Sequence, residues 1–173
     1  MKKFVPDIYQ KSIYTINYAK LLSSGIKCLL FDLDNTLVAY KEKNMPQKAK
    51  DLLVILKQKG FKVIILSNSP KSKVNKYKKY FDIDGYANAA KPLSKTFRKV
   101  LNDYDYKKEE MAIIGDQLVT DIFGGNVIGI TTILVNPLVQ KDIIFSKVNR
   151  YIENKILKKL AQKNLFEKGR YYE

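Results

Sequence analysis

The 173-residue chain has no histidine, no tryptophan and a single cysteine, and each absence removes a class of chemistry. Without His, and with one thiol, it cannot assemble a Cys/His zinc site, a Ser-His triad or a Cys-His pair. An intrachain disulfide is excluded, and the lone Cys28, set inside an apolar run, fits a reducing compartment. Glycine and proline are sparse, at 8 and 5 residues, and no repeat or low-complexity linker interrupts the chain. No stretch approaches the roughly 18 apolar residues of a membrane span. Lys2 and Lys3 are followed by Pro6 and Asp7, which break what would have to be the apolar segment of a signal peptide. The expectation is a cytoplasmic protein, with peripheral contact at the inner face of a membrane left open.

What the chain does have is apolar residues, at 46%, and positive charge, at a net +15. The apolar content suits one domain over residues 1–173: a core of about 27–136, an N-terminal arm over 1–26 and a C-terminal basic amphipathic helix over about 141–163. Residues 41–80 carry a net +10 and residues 141–173 a net +5, whereas residues 81–140 come to −2. Such a basic surface suits a polyanionic partner, either nucleic acid or anionic lipid. The same lysine-rich usage also follows from AT-rich coding.

Nearly continuous apolar or β-branched runs at Lys27–Phe31, Phe61–Leu66, Met111–Ile114 and Thr131–Val135 predict strands covered on both faces, with a shorter one near Tyr86–Ala89. Helical patterns lie between them, near Pro46–Lys59, Lys71–Tyr80, Leu93–Tyr104 and Leu118–Ile128. This alternation predicts an α/β fold: a doubly wound, Rossmann-like, mostly parallel five-stranded sheet with helices on both faces.

Chemistry-bearing residues fall where those strands end. The first strand runs into Asp32-Leu33-Asp34-Asn35-Thr36, the second into Ser67-Asn68-Ser69, and the fourth into Gly115-Asp116-Gln117, with Asp121 beyond; Lys91-Pro92 follows the short strand. Asp is poorly suited to strands and is almost never buried unpaired, so Asp32 and Asp34 need a cation, a hydrogen-bond network or a catalytic role. Taken singly the other residues have plainer readings: Ser67-Asn68 as a helix cap, Lys91 as a surface lysine, Asp116 as a turn former and Asp121 as a solvent-facing helix residue. Their order and strand context argue otherwise, because open α/β sheets bind ligands beyond the carboxyl ends of their strands. Gly124-Gly125 and Gly129 do not match a dinucleotide fingerprint.

Together the four motifs resemble the haloacid dehalogenase superfamily of aspartate-nucleophile phosphatases over roughly residues 27–136. The resemblance implies Asp32 as nucleophile, Asp34 as general acid and base, and Thr36, Ser67, Asn68 and Lys91 around the substrate phosphate. It further implies Mg²⁺ on Asp32, Asp116 and the carbonyl of Asp34, with Asp121 beside Lys91 or in the outer shell of the metal. Attack by a carboxylate on phosphorus gives an acyl phosphate that water then hydrolyses, and a hard cation offsets the repulsion between the two anions.

Only 30 residues separate Thr36 from Ser67, and one helix and one strand use them. Neither this interval nor Asn68–Lys91 has room for a cap domain, so a capless, open site is expected, suited to a phosphate carried on something large. Outside the core, Pro6-Asp7, the Tyr14 region, Gly25-Ile26-Lys27, Gly124-Gly125-Asn126 and Asn149-Arg150…Glu153…Ile156-Leu157 resemble the YqeG-type family of subfamily IIIA. Mitochondrial phosphatidylglycerophosphate phosphatases are similar to that family, which implies a lipid phosphomonoester substrate and a role in phospholipid metabolism. Ile144, Val148, Ile152, Ile156 and Leu160 recur at helical spacing among Lys147, Arg150, Lys155, Lys158 and Lys159, a pattern that can pack on the sheet or lie on an anionic bilayer. A protein, a nucleic-acid end or a soluble metabolite would be served by the same motifs. No aromatic-rich basic motif supports nucleic acid. A non-enzymatic binding protein would be expected to have lost Asp32, Asp34, Lys91 or Asp116.

Overall fold

The computed structural model describes residues 1–139 and 147–173. A parallel sheet of six strands forms the centre: β1 (Ile8–Gln10), β2 (Cys28–Phe31), β3 (Lys62–Leu66), β4 (Asp84–Tyr86), β5 (Met111–Gly115) and β6 (Thr131–Val135). Their spatial order is β1-β6-β5-β2-β3-β4. The helices are α1 (Tyr18–Ser23), α2 (Gln47–Gln58), α3 (Lys71–Phe81), α4 (Ser94–Tyr104), α5 (Gly124–Ile128) and α6 (Lys147–Gln162). From β2 the chain winds outward through β3 and β4, then crosses back to β5 and β6. The reversal therefore falls between β2 and β5, and the crevice of a doubly wound sheet opens at such a switch.

Alternation along the strands divides the core. Leu29, Phe31, Val63, Ile65, Ala112 and Ile114 face the layer that holds Ala49, Leu53 and Leu56 of α2 and Val74 and Tyr77 of α3. Cys28, Leu30, Ile64, Leu66, Met111 and Ile113 face the other layer, with Phe97 and Val100 of α4. Burial on both faces explains why these strands read as unbroken apolar runs.

Three features differ from the sequence expectation. The sheet has six strands rather than five, because the N-terminal arm adds β1 beside β6, with Ile8 opposite Ile133. Three residues are too few to give a local pattern; this strand is held from outside, by β6 and by an antiparallel bridge between Tyr9 and Tyr172. The short strand lies at Asp84–Tyr86 rather than Tyr86–Ala89. Asn88 and Ala90 take positive φ, and the Asn88 and Ala89 amides donate to the carbonyls of Ser69 and Ser67, so this stretch is a turn bound to the end of β3. The single helix expected over Leu118–Ile128 divides into a π-helical turn, Leu118–Phe123, followed by α5.

The start expected for the last helix near residue 141, with Ile144, lies outside the described residues. The C-terminal half of α6 packs on the β1–β6 side of the sheet. Leu160 is fully buried, and Ile156 and Leu157 are partly buried, against Tyr9, Leu118, Ile122, Leu134 and Phe166.

Candidate active site

The site is assembled from strand ends. The Asp32 amide extends the ladder by donating to the Ile114 carbonyl at 2.9 Å, so the sheet itself fixes this residue. The chain then turns at Asn35, whose φ of +65° an Asn tolerates better than most residues. Asn35 donates its N–H to the Val38 carbonyl, and its side-chain oxygen accepts the Tyr40 N–H. The turn brings back Thr36, whose hydroxyl lies 3.5 Å from Asp32 Oδ2 and 3.4 Å from Asp116 Oδ1. Thr36 thus spans two carboxylates.

At the end of β3 the buried Ser67 hydroxyl accepts the Ser69 N–H at 3.1 Å, an arrangement in which its own proton can go to an anion in the cleft. The Asn68 side chain is engaged elsewhere. Its oxygen accepts the Lys91 N–H at 2.8 Å, and its amide donates to the Lys91 carbonyl at 3.1 Å. It pins the backbone of residue 91, leaving to its own backbone any direct contact with phosphate. The Lys91 ammonium, almost fully buried, donates to Asp32 Oδ1 at 2.7 Å and Asp121 Oδ1 at 2.6 Å.

β5 delivers Gly115 and Asp116. A Cβ on Gly115 would overlap Asp121 Oδ2, so only glycine lets the Asp121 carboxylate close over the strand end. That same oxygen accepts the Gln117 N–H at 3.2 Å. One carboxylate oxygen from each of Asp32, Asp116 and Asp121 can be chosen so that all three lie within 4.8 Å of one another.

Three carboxylates facing one ammonium leave two uncompensated negative charges when all are ionised. Burial is the largest influence on Asp32; Lys91 opposes it and Asp121 adds to it, with the net effect of raising its pKa from 3.8 to about 7. Asp116 is raised well above the usual carboxylate range, first by burial and then by the charges of Asp32, Asp121 and Glu153. Burial alone would lower Lys91, but Asp121 and Asp32 outweigh it and hold the ammonium firmly charged. A divalent cation would balance the excess, and a cluster of hard carboxylate oxygens is the donor set that Mg²⁺ prefers. The residues present fit such an ion.

Asp34 directs its carboxylate to the Ser69 hydroxyl and to the Lys73 ammonium on α3 rather than into this cluster. Asp32, Asp34, Ser67, Asn68 and Lys91 line a cleft of about 540 Å³ with Tyr40, Gln117, Thr120 and an apolar side of Pro92, Val119 and Ile152. Sequence reasoning assigns no role to Lys73, Ser69 or Glu153. Glu153 leaves a trace, because it is the one acid among the charged residues of α6. Lys73 is one of 12 lysines between residues 41 and 80 and leaves none.

The profile of haloacid dehalogenase-like hydrolases matches residues 39–129. The chain is 36% identical over 162 residues, 94% of its own length and 94% of the relative, to the "Probable phosphatase YqeG" of Bacillus subtilis strain 168. The chain belongs to the haloacid dehalogenase-like hydrolase family. Within that family it is a phosphatase of the YqeG type. It is also 27% identical over 176 residues to the chloroplastic and mitochondrial phosphatidylglycerophosphate phosphatase 1 of Arabidopsis thaliana, matching 95% of this chain but 50% of that protein. Among solved structures, the D,D-heptose 1,7-bisphosphate phosphatase of B. bronchiseptica, complexed with magnesium and phosphate, shares the fold at a TM-score of 0.55 and 14% identity, covering 78% of this chain and 99% of that one. The family profile begins after Thr36, so the roles of Asp32, Asp34 and Thr36 rest on their motif and geometry.

Proposed function

We propose that the chain is a Mg²⁺-dependent phosphomonoesterase that works through an aspartyl-phosphate and acts on a large or membrane-bound substrate such as phosphatidylglycerophosphate. The observation that carries the reading is the placement of Asp32: a carboxylate on a strand end, oriented by Lys91 and Thr36, at the floor of an open cleft. Asp32, Asp116 and the carbonyl of Asp34 would hold the cation, with Asp121 behind Lys91; when bound, the cation offsets the negative charge of the nucleophile and the phosphoryl group.

The chain's own residues account for the rest. A carboxylate oxygen of Asp32 forms a bond to phosphorus as the bond to the leaving oxygen breaks. Asp34 gives that oxygen a proton, then accepts one from the water that cleaves the acyl phosphate and returns Asp32 and inorganic phosphate. Ser67 and Lys91 donate to the non-bridging oxygens, where charge accumulates. Asp34 must leave its Ser69 and Lys73 contacts, or share them, as it meets the leaving group.

Two features support a lipid substrate. The cleft has an apolar side, and Leu93 and Tyr151, each next in the chain to a residue lining it, are 64% and 66% exposed. Lys155, Lys158 and Lys159 are exposed on α6, the helix that supplies Ile152 to the cleft, and each is worth roughly 1 kcal/mol near an anionic surface. Among the described residues no helix is long and apolar enough to cross a membrane, so contact would be peripheral. Turnover across phospholipid, nucleotide, sugar, peptide and aryl phosphates, with Asp32→Asn and excess chelator as controls, tests the reading. Preference for phosphatidylglycerophosphate and loss of all turnover in both controls is the expected result. Near wild-type hydrolysis by folded Asp32→Asn ends the mechanism, and equal or better use of soluble esters ends the lipid assignment.

A further inference from the structure

Glu153 lies on α6, well beyond the last catalytic motif, yet its carboxylate reaches the loop on which two of the clustered acids sit. Glu153 Oε1 accepts the Leu118 N–H at 3.1 Å. The preceding amide, that of Gln117, is taken by Asp121 Oδ2. Two successive amides at the entrance to the π-helical turn Leu118–Phe123 are therefore held by carboxylates, one from the turn itself and one from a distant helix. The side chain of Gln117, which precedes this turn, accepts the Thr120 hydroxyl at 3.2 Å and caps no backbone N–H of the turn. Asp116 precedes these amides and Asp121 follows them, so Leu118 lies on the stretch of backbone that joins the two acids.

Glu153 also stands between two spaces. It lines the cleft, and it lines a cavity of about 20 Å³ shared with Asp116, Leu118, Tyr9 and Lys168. A space of that size has room for about one water molecule.

We propose that Glu153 is a positioning residue for the cation site: through the Leu118 N–H it holds the loop that places Asp116, a ligand in the reading above, against Asp121, the partner of Lys91, and with it sets the affinity for Mg²⁺. The inference rests on the phosphatase reading above and extends it to a helix outside the matched family profile. Outer-shell partners of this kind typically change metal affinity or activity by about 10–100-fold when removed.

The test compares Glu153→Gln, which keeps an oxygen acceptor, with Glu153→Met, which fills similar space without one. Mg²⁺ alone is the probe, followed by calorimetry and by the rise in melting temperature on adding Mg²⁺, beside the Mg²⁺ dependence of aryl phosphate hydrolysis. Glu153→Met should bind Mg²⁺ about 10–100-fold more weakly, with KM for the aryl phosphate at saturating Mg²⁺ within about 2-fold of wild type, while Glu153→Gln stays within about 3-fold of wild type in Mg²⁺ affinity. Wild-type Mg²⁺ affinity in Glu153→Met overturns the proposal. So does a Gln variant as weak as Met, which would assign the effect to charge, and so does failure of Glu153→Met to fold, which would make the residue a fold determinant. If the wild-type protein binds no Mg²⁺ and Asp116→Asn changes nothing, the phosphatase reading itself has failed, an outcome distinct from the other three.

Discussion

The raised pKa of Asp32 has a consequence for stability that can be measured without substrate. A carboxyl group with an ordinary value of 3.8 when unfolded and about 7 when folded binds its proton more tightly in the native state. In metal-free protein its contribution is therefore fully present below about pH 4 and is lost as pH rises through about 7, costing on the order of 4 kcal/mol across that interval. Asp116 and Glu153, also raised, act in the same direction. Asp84, Asp103 and Glu110 are lowered by their lysine or tyrosine partners, so they act oppositely, at pH values below the ordinary carboxylate range. Denaturant midpoints measured in chelator should thus decline between about pH 5 and pH 8. Saturating Mg²⁺ should flatten the decline, because the cation favours the ionised carboxylates. Mg²⁺ affinity should tighten over the same interval as fewer protons need to be displaced. Asp32→Asn removes one of these titrating groups and should make metal-free stability less dependent on pH. A midpoint in chelator that stays level or rises from about pH 5 to pH 8 would refute the account of a buried, under-compensated carboxylate cluster.

Asp34→Asn should leave Mg²⁺ binding within a few-fold of wild type and slow alkyl phosphates far more than activated aryl phosphates, because only the former need a proton on the leaving oxygen; equal slowing in steady-state assays would remove its acid role. Gly115→Ala drives a methyl group into Asp121 Oδ2 and should cost about 1–3 kcal/mol in denaturation together with most of kcat, since Asp121 must move away from Lys91; a stable variant of normal activity would show that the contact is dispensable. Replacing Lys155, Lys158 and Lys159 by Gln should weaken sedimentation with phosphatidylglycerol vesicles while leaving aryl phosphate turnover intact. Binding by the wild-type protein should fade as salt shortens the Debye length below about 8 Å, and no sedimentation even at low salt would count against a membrane surface.

The parts of this molecule legible in its sequence are those whose cause is local. Cys28-Leu29-Leu30-Phe31 reads as a strand covered on both faces because every one of its side chains is buried, and Asp32 stands out because it follows that run without a break. Gly115 and Asp116 are legible for the same reason at the end of β5. β1 is not, since Ile8–Gln10 becomes a strand only when β6 and Tyr172 arrive beside it. The short strand reads too late in the chain because Ala87–Ala90 has strand-like composition, while its amides are claimed by Ser67 and Ser69 across the chain. The partners of Asp34 and the reach of Glu153 depend on where α3 and α6 dock, which no spacing in the sequence encodes. Asn68 sits within a recognisable motif, yet the role of its side chain, holding Lys91, follows from a turn that composition does not disclose.

The bridge between Tyr9 and Tyr172 bears on the order in which a growing chain can acquire this structure. Strands β2 to β5, with Asp32 and Asp116 at their ends and Lys91 after the turn that follows β4, are all synthesised before α6 begins. The outer edge of the sheet is different: β1 is made first, yet its free side is covered by a residue 163 positions later. Closing so wide a loop carries an entropic cost that grows only slowly with its length, so the delay is set by synthesis rather than by thermodynamics. Until the stretch around Tyr172 has emerged, β1 presents an unpaired edge of the kind that recruits other chains. The nascent protein would therefore hold its carboxylate cluster some time before its border is covered.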